Sequence, residues 1–323
     1  MSRADAGDTV DLSVVVPVYN NAATLGELID RLLATLDPLP FSFELVFVDD
    51  GSGDASWSVL RARAEGDPRV RPFALKRNYG SQSAICAGFD LVRGKRTVCL
   101  DADLENFPED IPALLAALDR GYELACGVRE MRKSPLWRRL PSALFNAFVR
   151  RQIGTTVRDI GCGMRAMDSR VVHGLASEGE KRRLITPLLL KRARSVVEVP
   201  IRHRPSGAPS HSFLTLLGIA FDFYLLTARR PFLVAGVVAG AGFASGLGLL
   251  VAAALGAGGA ALALAGLVLS VGGLLGGLLA MLGEYMQRTY QLGQGLPFYE
   301  LRPPEPEASA EEAGLRGGPG VAR

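Results

Sequence analysis

Two acidic pairs carry most of the chemistry this chain can do. Asp101-Ala102-Asp103 follows the apolar run Arg96–Leu100. Carboxylates at i and i+2 on a strand end can meet one hard divalent cation, and Mg²⁺ or Mn²⁺ prefers such oxygens and also takes phosphate. The plain alternative is a turn capped by acids, since Pro108 starts a helix close by. The second pair, Asp49-Asp50, opens the segment Asp49-Asp50-Gly51-Ser52-Gly53-Asp54 behind the apolar run Phe43–Val48. A carboxylate there can accept hydrogen bonds from a base N–H or from ribose hydroxyls, and Gly51 lets backbone approach closely. A tight Asx turn is the alternative. Two acidic strand ends on one sheet edge point to a site for a nucleoside diphosphate.

The elements that must position these pairs follow from periodicity. Leu12–Pro17 is a short β-branched run and reads as a buried strand. Leu25, Leu28, Ile29, Leu32, Leu33 and Leu36 recur at helical spacing until Pro38. Phe43–Val48 reads as a strand, residues 55–64 as a helix, Val70–Leu75 as a strand and Ser81–Val92 as a helix. Arg96–Leu100 is a fourth strand, Pro108–Arg120 a helix and Tyr122–Gly127 a fifth strand. Strands alternating with helices predict an α/β fold with a parallel sheet and crossover helices. Ligands of such sheets bind at the carboxyl ends of the strands, which is where both acidic pairs fall.

The composition divides the chain. From Pro231 to Gly283 there is no charged residue, and the stretch is nearly all Gly, Ala, Leu and Val. Residues 232–255 and 261–282 are each long enough to cross a hydrocarbon core of roughly 30 Å. Arg229-Arg230 before them and Arg288 after them predict, by the positive-inside rule, a hairpin with both ends in the cytosol. Residues 212–230, apolar and aromatic around Asp222, read as a helix lying in the membrane interface. The polar N-terminus is not a signal peptide. The expected organisation is therefore a globular domain over 10–211, the interfacial helix, the two spans within 231–283, a juxtamembrane segment over 284–301 and a disordered tail over 302–323. The expected location is the cytoplasmic membrane, with the domain on the cytosolic side. Cys86, Cys99, Cys126 and Cys162 have no metal or disulfide spacing and read as reduced, buried thiols.

Four segments in order resemble a known family: Val16-Pro17-Val18-Tyr19-Asn20, Val48-Asp49-Asp50-Gly51-Ser52, Arg77-Asn78-Tyr79-Gly80 and Leu100-Asp101-Ala102-Asp103-Leu104. The set is similar to family 2 glycosyltransferases of GT-A fold, in their polyprenyl-phosphate branch. The similarity runs on through Gly161-Cys162-Gly163-Met164-Arg165-Ala166, the segment from His203 to Ser210, and Gly283-Glu284-Tyr285. It implies a GT-A domain, a nucleotide diphosphate sugar as donor (a UDP-sugar ahead of a GDP-sugar), and polyprenyl phosphate, such as undecaprenyl phosphate, as acceptor. It further implies that Pro17, Tyr19, Asn21, Asp49, Asp50, Gly51, Asn78, Asp101 and Ala102 form the nucleotide site. Asp101 and Asp103 hold the Mg²⁺ or Mn²⁺, Asp103, Asp159 and Arg165 are catalytic, and Arg204 and Ser210 meet phosphate. A homo-oligomer, with a tetramer as one form, also follows from the resemblance and the glycine-rich packing faces.

The chain departs from the family pattern at Asn21, where Glu is usual, at Glu105 for Gln, at Phe107 for Pro, at His211-Ser212 for Lys-Tyr, and at Leu296 for Arg. Glu105 adds a charge beside the metal pair. Arg129, Arg132, Lys133, Arg138, Arg139, Arg150, Arg151 and Arg158 form a basic cluster. It is a solvated face, a strip for anionic headgroups, or a site for the lipid's phosphate, where bidentate Arg is favoured and Arg129, Arg138 and Arg139 are the candidates. No aromatics interleave, so nucleic acid is not expected. A phosphate acceptor is already ionised near neutral pH, so Asp159 acts either as a base or as an orienter of acceptor and arginines. His203 and His211 are structural or touch phosphate. The reaction expected is glycosyl transfer with inversion at the sugar's C1. A processive polysaccharide synthase would need more spans and a QxxRW motif, which is absent; a catalytically dead membrane scaffold is the remaining alternative.

Overall fold

The computed structural model describes residues 10–129, 161–173, 185–204 and 298–303, with isolated positions between 150 and 175 and between 218 and 289. The elements are β1 (Leu12–Val18), α1 (Ala22–Leu36), β2 (Phe43–Asp49), α2 (Ser56–Gly66), β3 (Val70–Ala74), α3 (Ser81–Leu91) and β4 (Arg96–Cys99). A 3₁₀ turn at Pro108–Asp110 leads into α4 (Ile111–Asp119), then β5 (Leu124–Arg129), β6 (Arg165–Asp168), α5 (Ser169–Val172), α6 (Ile185–Arg192) and β7 (Val196–Ile201).

The strands form one sheet in the order β3-β2-β1-β4-β6-β5-β7. The sheet is mixed, which corrects the all-parallel expectation. β1, β2, β3 and β4 are parallel neighbours, and β5 pairs β7 in parallel, but β6 is antiparallel to both β4 and β5. The crossover from β4 through α4 leaves one strand's width before β5, and the later segment β6 fills it in the reverse direction. Arg165 therefore lies opposite both Cys99 and Cys126. A reversed strand begins at the edge where its neighbours end, so Arg165 arrives beside the end of β4.

Both faces of the sheet are covered, which is why β1 is apolar at nearly every position. Val14, Val16 and Val18 pack with Leu25, Leu28, Ile29 and Leu32 of α1 and Leu114 of α4. Val15 turns to the other face, with Ala84 and Phe89 of α3 and Leu189 of α6. Each leucine of the α1 stripe is fully buried and contributes about 2 kcal/mol, so packing rather than propensity holds the helix. The four thiols are buried, as expected from their lack of spacing.

After the glycine-rich stretch the chain returns to this domain. Leu301 lies opposite Leu75 in an antiparallel bridge. Arg302, assigned to the tail from sequence, still belongs to this docked segment, because its N–H donates to the Ala74 carbonyl (2.7 Å). The expected interfacial helix over 212–230 and the spans at 232–255 and 261–282 lie outside the described residues, isolated positions apart. Among the described residues no helix is long and apolar enough to cross a membrane.

Candidate active site

The loops at the carboxyl edge of the sheet are stitched together before any ligand is considered. Asn20 adopts a left-handed backbone (φ 53°), which Asn tolerates better than most residues. Its side-chain oxygen accepts from Gly53 N–H (2.9 Å), and its own N–H donates to Ser52 Oγ (3.0 Å). Ala22 N–H donates to Asp54 Oδ2 (3.1 Å) and Asn21 N–H to Ser56 Oγ (2.9 Å). Thr24 Oγ1 donates to the Ala102 carbonyl (2.8 Å). The turns after β1, β2 and β4 thus form one unit.

That unit surrounds a cleft of about 170 Å³ lined by Pro17, Val18, Tyr19, Asn21, Asp50, Ser81, Asp101, Ala102 and Asp103. Seven of the residues expected to bind nucleotide or metal meet here: Pro17, Tyr19, Asn21, Asp50, Asp101, Ala102 and Asp103. Tyr19 is 49% exposed, an aromatic face left open at the rim. Asn21 spends its side-chain oxygen on Tyr19 N–H (3.0 Å) and so shapes the turn. Asp49, Gly51 and Asn78 lie behind the lining. Asp49 is buried and accepts from Ser52 N–H (3.3 Å). Asn78 accepts from Gly80 N–H (3.0 Å). Gly51 (φ 72°) does permit close approach, but to the protein's own chain: a Cβ there would stand 2.8 Å from the Arg77–Asn78 peptide. Ser81, at the start of α3, escaped the sequence reading; that α3 begins at the same sheet edge was the available signal.

Asp50 holds the neighbouring loop. Its two oxygens accept from Tyr79 N–H (2.7 Å) and Gly80 N–H (2.8 Å), and burial pushes its pKa up despite those bonds. Burial and the neighbouring Asp103 push Asp101 up to about 6, against the opposing pull of Arg165. Asp103 is also raised, by burial first and by Glu105. Like charges this close favour a cation between them. The oxygen donors suit a hard divalent ion that takes its other ligands from water or a diphosphate. Among the described residues no group of three or more His, Cys, Asp or Glu is placed to hold a metal, so the protein's share would be the two aspartates.

Gly163 is the floor under Asp101. A Cβ on it would lie 2.0 Å from Asp101 Oδ2. Arg165, buried at the first position of β6, donates to the Cys162 carbonyl and supplies positive charge beside Asp101. Arg129 and Asp159, expected in separate roles, form a bidentate pair: Nε to Oδ2 at 2.7 Å and a terminal nitrogen to Oδ1 at 2.8 Å, both side chains under a fifth exposed. Asp159 raises the Arg129 pKa. The Arg129 charge also reaches Asp101, so the pair flanks the metal aspartates.

The segment after β7 is fastened to the loop after Asp103. His203 bridges Asn106, Arg204 N–H donates to the Glu105 carbonyl (2.9 Å), and Arg202 grips Asp110 (2.8 Å). Arg204 is exposed at this edge. Arg138, Arg139 and Ser210 lie outside the described residues. A larger cleft of about 550 Å³ sits at the opposite edge of the sheet. Its charges are engaged locally, Arg96 with Asp119 (3.0 Å) and Asp11 with Lys95 (2.9 Å), and neither acidic pair reaches it.

Comparison with known proteins adds to this geometry. Residues 13–175 match the glycosyl transferase family 2 profile. An undecaprenyl-phosphate 4-deoxy-4-formamido-L-arabinose transferase of Shewanella sediminis is 37% identical over 303 residues, 90% of this chain and 91% of the relative. The protein of that name from Pseudomonas paraeruginosa is 39% identical over 293 residues, 87% and 86% of the two chains. Among solved structures, mannosyl-3-phosphoglycerate synthase from Rubrobacter xylanophilus superposes with a TM-score of 0.52 at 17% identity, over 68% of this chain and 74% of that one, a likeness of fold.

Proposed function

Since the chain belongs to glycosyl transferase family 2, we propose that it transfers a sugar from a nucleoside diphosphate, a UDP-sugar before a GDP-sugar, to a polyprenyl phosphate. The observation that carries this is the single cleft in which Tyr19, Asp50, Asp101 and Asp103 meet. Relatives named for action on undecaprenyl phosphate, at 37% and 39% identity over most of their length, support the acceptor.

The roles follow from the geometry. The exposed ring of Tyr19 offers a face for the base, with Asp50 and Ser81 on the other side of the cleft. Asp101 and Asp103 would hold a divalent cation, which neutralises charge growing on the leaving diphosphate. The acceptor's phosphate oxygen attacks C1 of the sugar as the C1–oxygen bond to the diphosphate breaks. The electron pair leaves with the nucleoside diphosphate, and one displacement inverts C1. The attacking phosphate is already ionised, so no base is required. Asp159 then orients Arg129, whose guanidinium it grips through two bonds. Arg129 and Arg165 provide fixed positive charge beside the aspartates, so positioning and electrostatics carry the rate.

The membrane hairpin is part of the same reading. The uncharged stretch Pro231–Gly283 supports it, as do the exposed Leu264, Val268, Leu275 and Leu279. The docking of Leu301 on Leu75 returns the chain to the side of the catalytic domain, which requires an even number of crossings. The test is a donor screen on purified protein in nanodiscs with undecaprenyl phosphate and Mg²⁺ or Mn²⁺. Metal-dependent labelling of extracted lipid by one donor, lost in Asp103→Ala, is expected. Release of free nucleoside diphosphate without labelled lipid would overturn the acceptor assignment.

A further inference from the structure

We propose that Phe298–Arg302 is a positioning strap for the nucleotide site, setting the loop Arg77–Gly80 from outside the cleft; this rests on the nucleotide reading of that cleft. β3 ends the sheet order and has a neighbour on one side only. The strap supplies the other. Lys76 N–H donates to the Glu300 carbonyl (2.9 Å) and Arg302 N–H to the Ala74 carbonyl (2.7 Å), bracketing the Leu75–Leu301 pair. Lys76 Nζ pairs with Glu300. The Tyr299 hydroxyl donates to Asp90 Oδ2 (2.6 Å) near the end of α3, and Phe298 and Tyr299 pack against the core cluster that holds Ile85 and Phe89.

The strap therefore ties the end of β3 to α3, the two elements that flank the loop. Lys76, held at both backbone and side chain, is the residue directly before Arg77. The loop in turn is what Asp50 grips at Tyr79 and Gly80, and what the backbone of Gly51 rests on without room for a Cβ. Asp50 and Ser81, on either side of the loop, both line the cleft. Tyr299 and Arg302 touch no part of that cleft, so they are positioning residues. The strap is also the first described stretch beyond the proposed membrane hairpin, so the donor site is fastened to the membrane anchor through it.

Full-length protein in nanodiscs with Mn²⁺ tests this by hydrogen exchange and by UDP titration calorimetry. Tyr299→Ala and Arg302→Pro are expected to speed exchange at the Tyr79 and Gly80 amides, to leave β1 amides unchanged and to weaken UDP binding about fivefold. Donor KM rises while kcat stays near wild type, and Tyr299→Phe, which keeps the packing, falls between. Should Arg302→Pro not fold, Tyr299→Phe with Glu300→Gln gives the same reading in milder form. Fast exchange at the Lys76 amide, with wild-type exchange at Tyr79 and Gly80 and wild-type UDP affinity, would overturn the strap. Wild-type protein that binds neither UDP nor GDP would instead overturn the nucleotide reading, and the strap's role with it.

Discussion

Gly163→Ala tests the geometry of the metal aspartates without touching either one. The added Cβ would stand 2.0 Å from Asp101 Oδ2 and 2.7 Å from its Cγ. Ordinary contact begins at 3.4 Å, so the carboxylate must retreat by more than about 1 Å, and misplacement of that size costs about 100-fold in rate. Retreat is awkward, because Asp101 is partly buried beside Arg165. Gly163 does not need a left-handed backbone, so the fold survives at an overpacking cost of about 1–3 kcal/mol. The assay is turnover against Mn²⁺ concentration, with Gly66→Ala as the remote control because nothing lies within 4 Å of its Cβ. Expected are a roughly hundredfold fall in turnover and a rightward shift in the Mn²⁺ dependence. Wild-type turnover with unchanged Mn²⁺ dependence would refute the placement of Asp101 in the metal site.

Three further outcomes follow. Asp101 rises from 3.8 to about 6 on folding, so the unfolded chain ionises first and stability falls as pH climbs from about 4 through 6; at neutral pH the loss reaches at most about 3 kcal/mol. Chelator-treated Asp101→Asn should melt above wild type at pH 7.5 but not at pH 4, and an equal gain at both would disprove the linkage. Breaking the half-buried Arg129–Asp159 pair from one side should cost about 3 kcal/mol or more. Arg129→Met with Asp159→Leu should recover part of that in thermal melts, and Asp159→Asn should lower kcat without adding a limb to its pH profile; a new limb would make Asp159 a base. Tyr19→Ala should weaken UDP binding by about 1–3 kcal/mol through lost stacking, while Tyr19→Phe stays near wild type in the same titration.

Much of the molecule was legible along the chain. Period-two and period-3.6 apolar patterns placed β1 through β5 and the helices between them, because which face a side chain occupies is a local property of backbone geometry. Strand ends followed by Asp49-Asp50 and Asp101-Ala102-Asp103 located the site, since parallel strands bring their carboxyl ends to one edge. What sequence left open depended on distant partners. β6 is only Arg165–Asp168, too short to show a period, and its reversed place between β4 and β5 is set by a gap that other elements create. The roles of Arg129 and Asp159 merged once the fold brought them within 2.7 Å. Gly51 and Gly163 are required by what they touch, a peptide and a carboxylate far away in sequence. Leu301 finds Leu75 across more than two hundred residues. Local pattern determines elements and the edge where chemistry collects; neighbours across the sheet, and the charges they share, are decided by long-range packing, whose closure no nearby residue records.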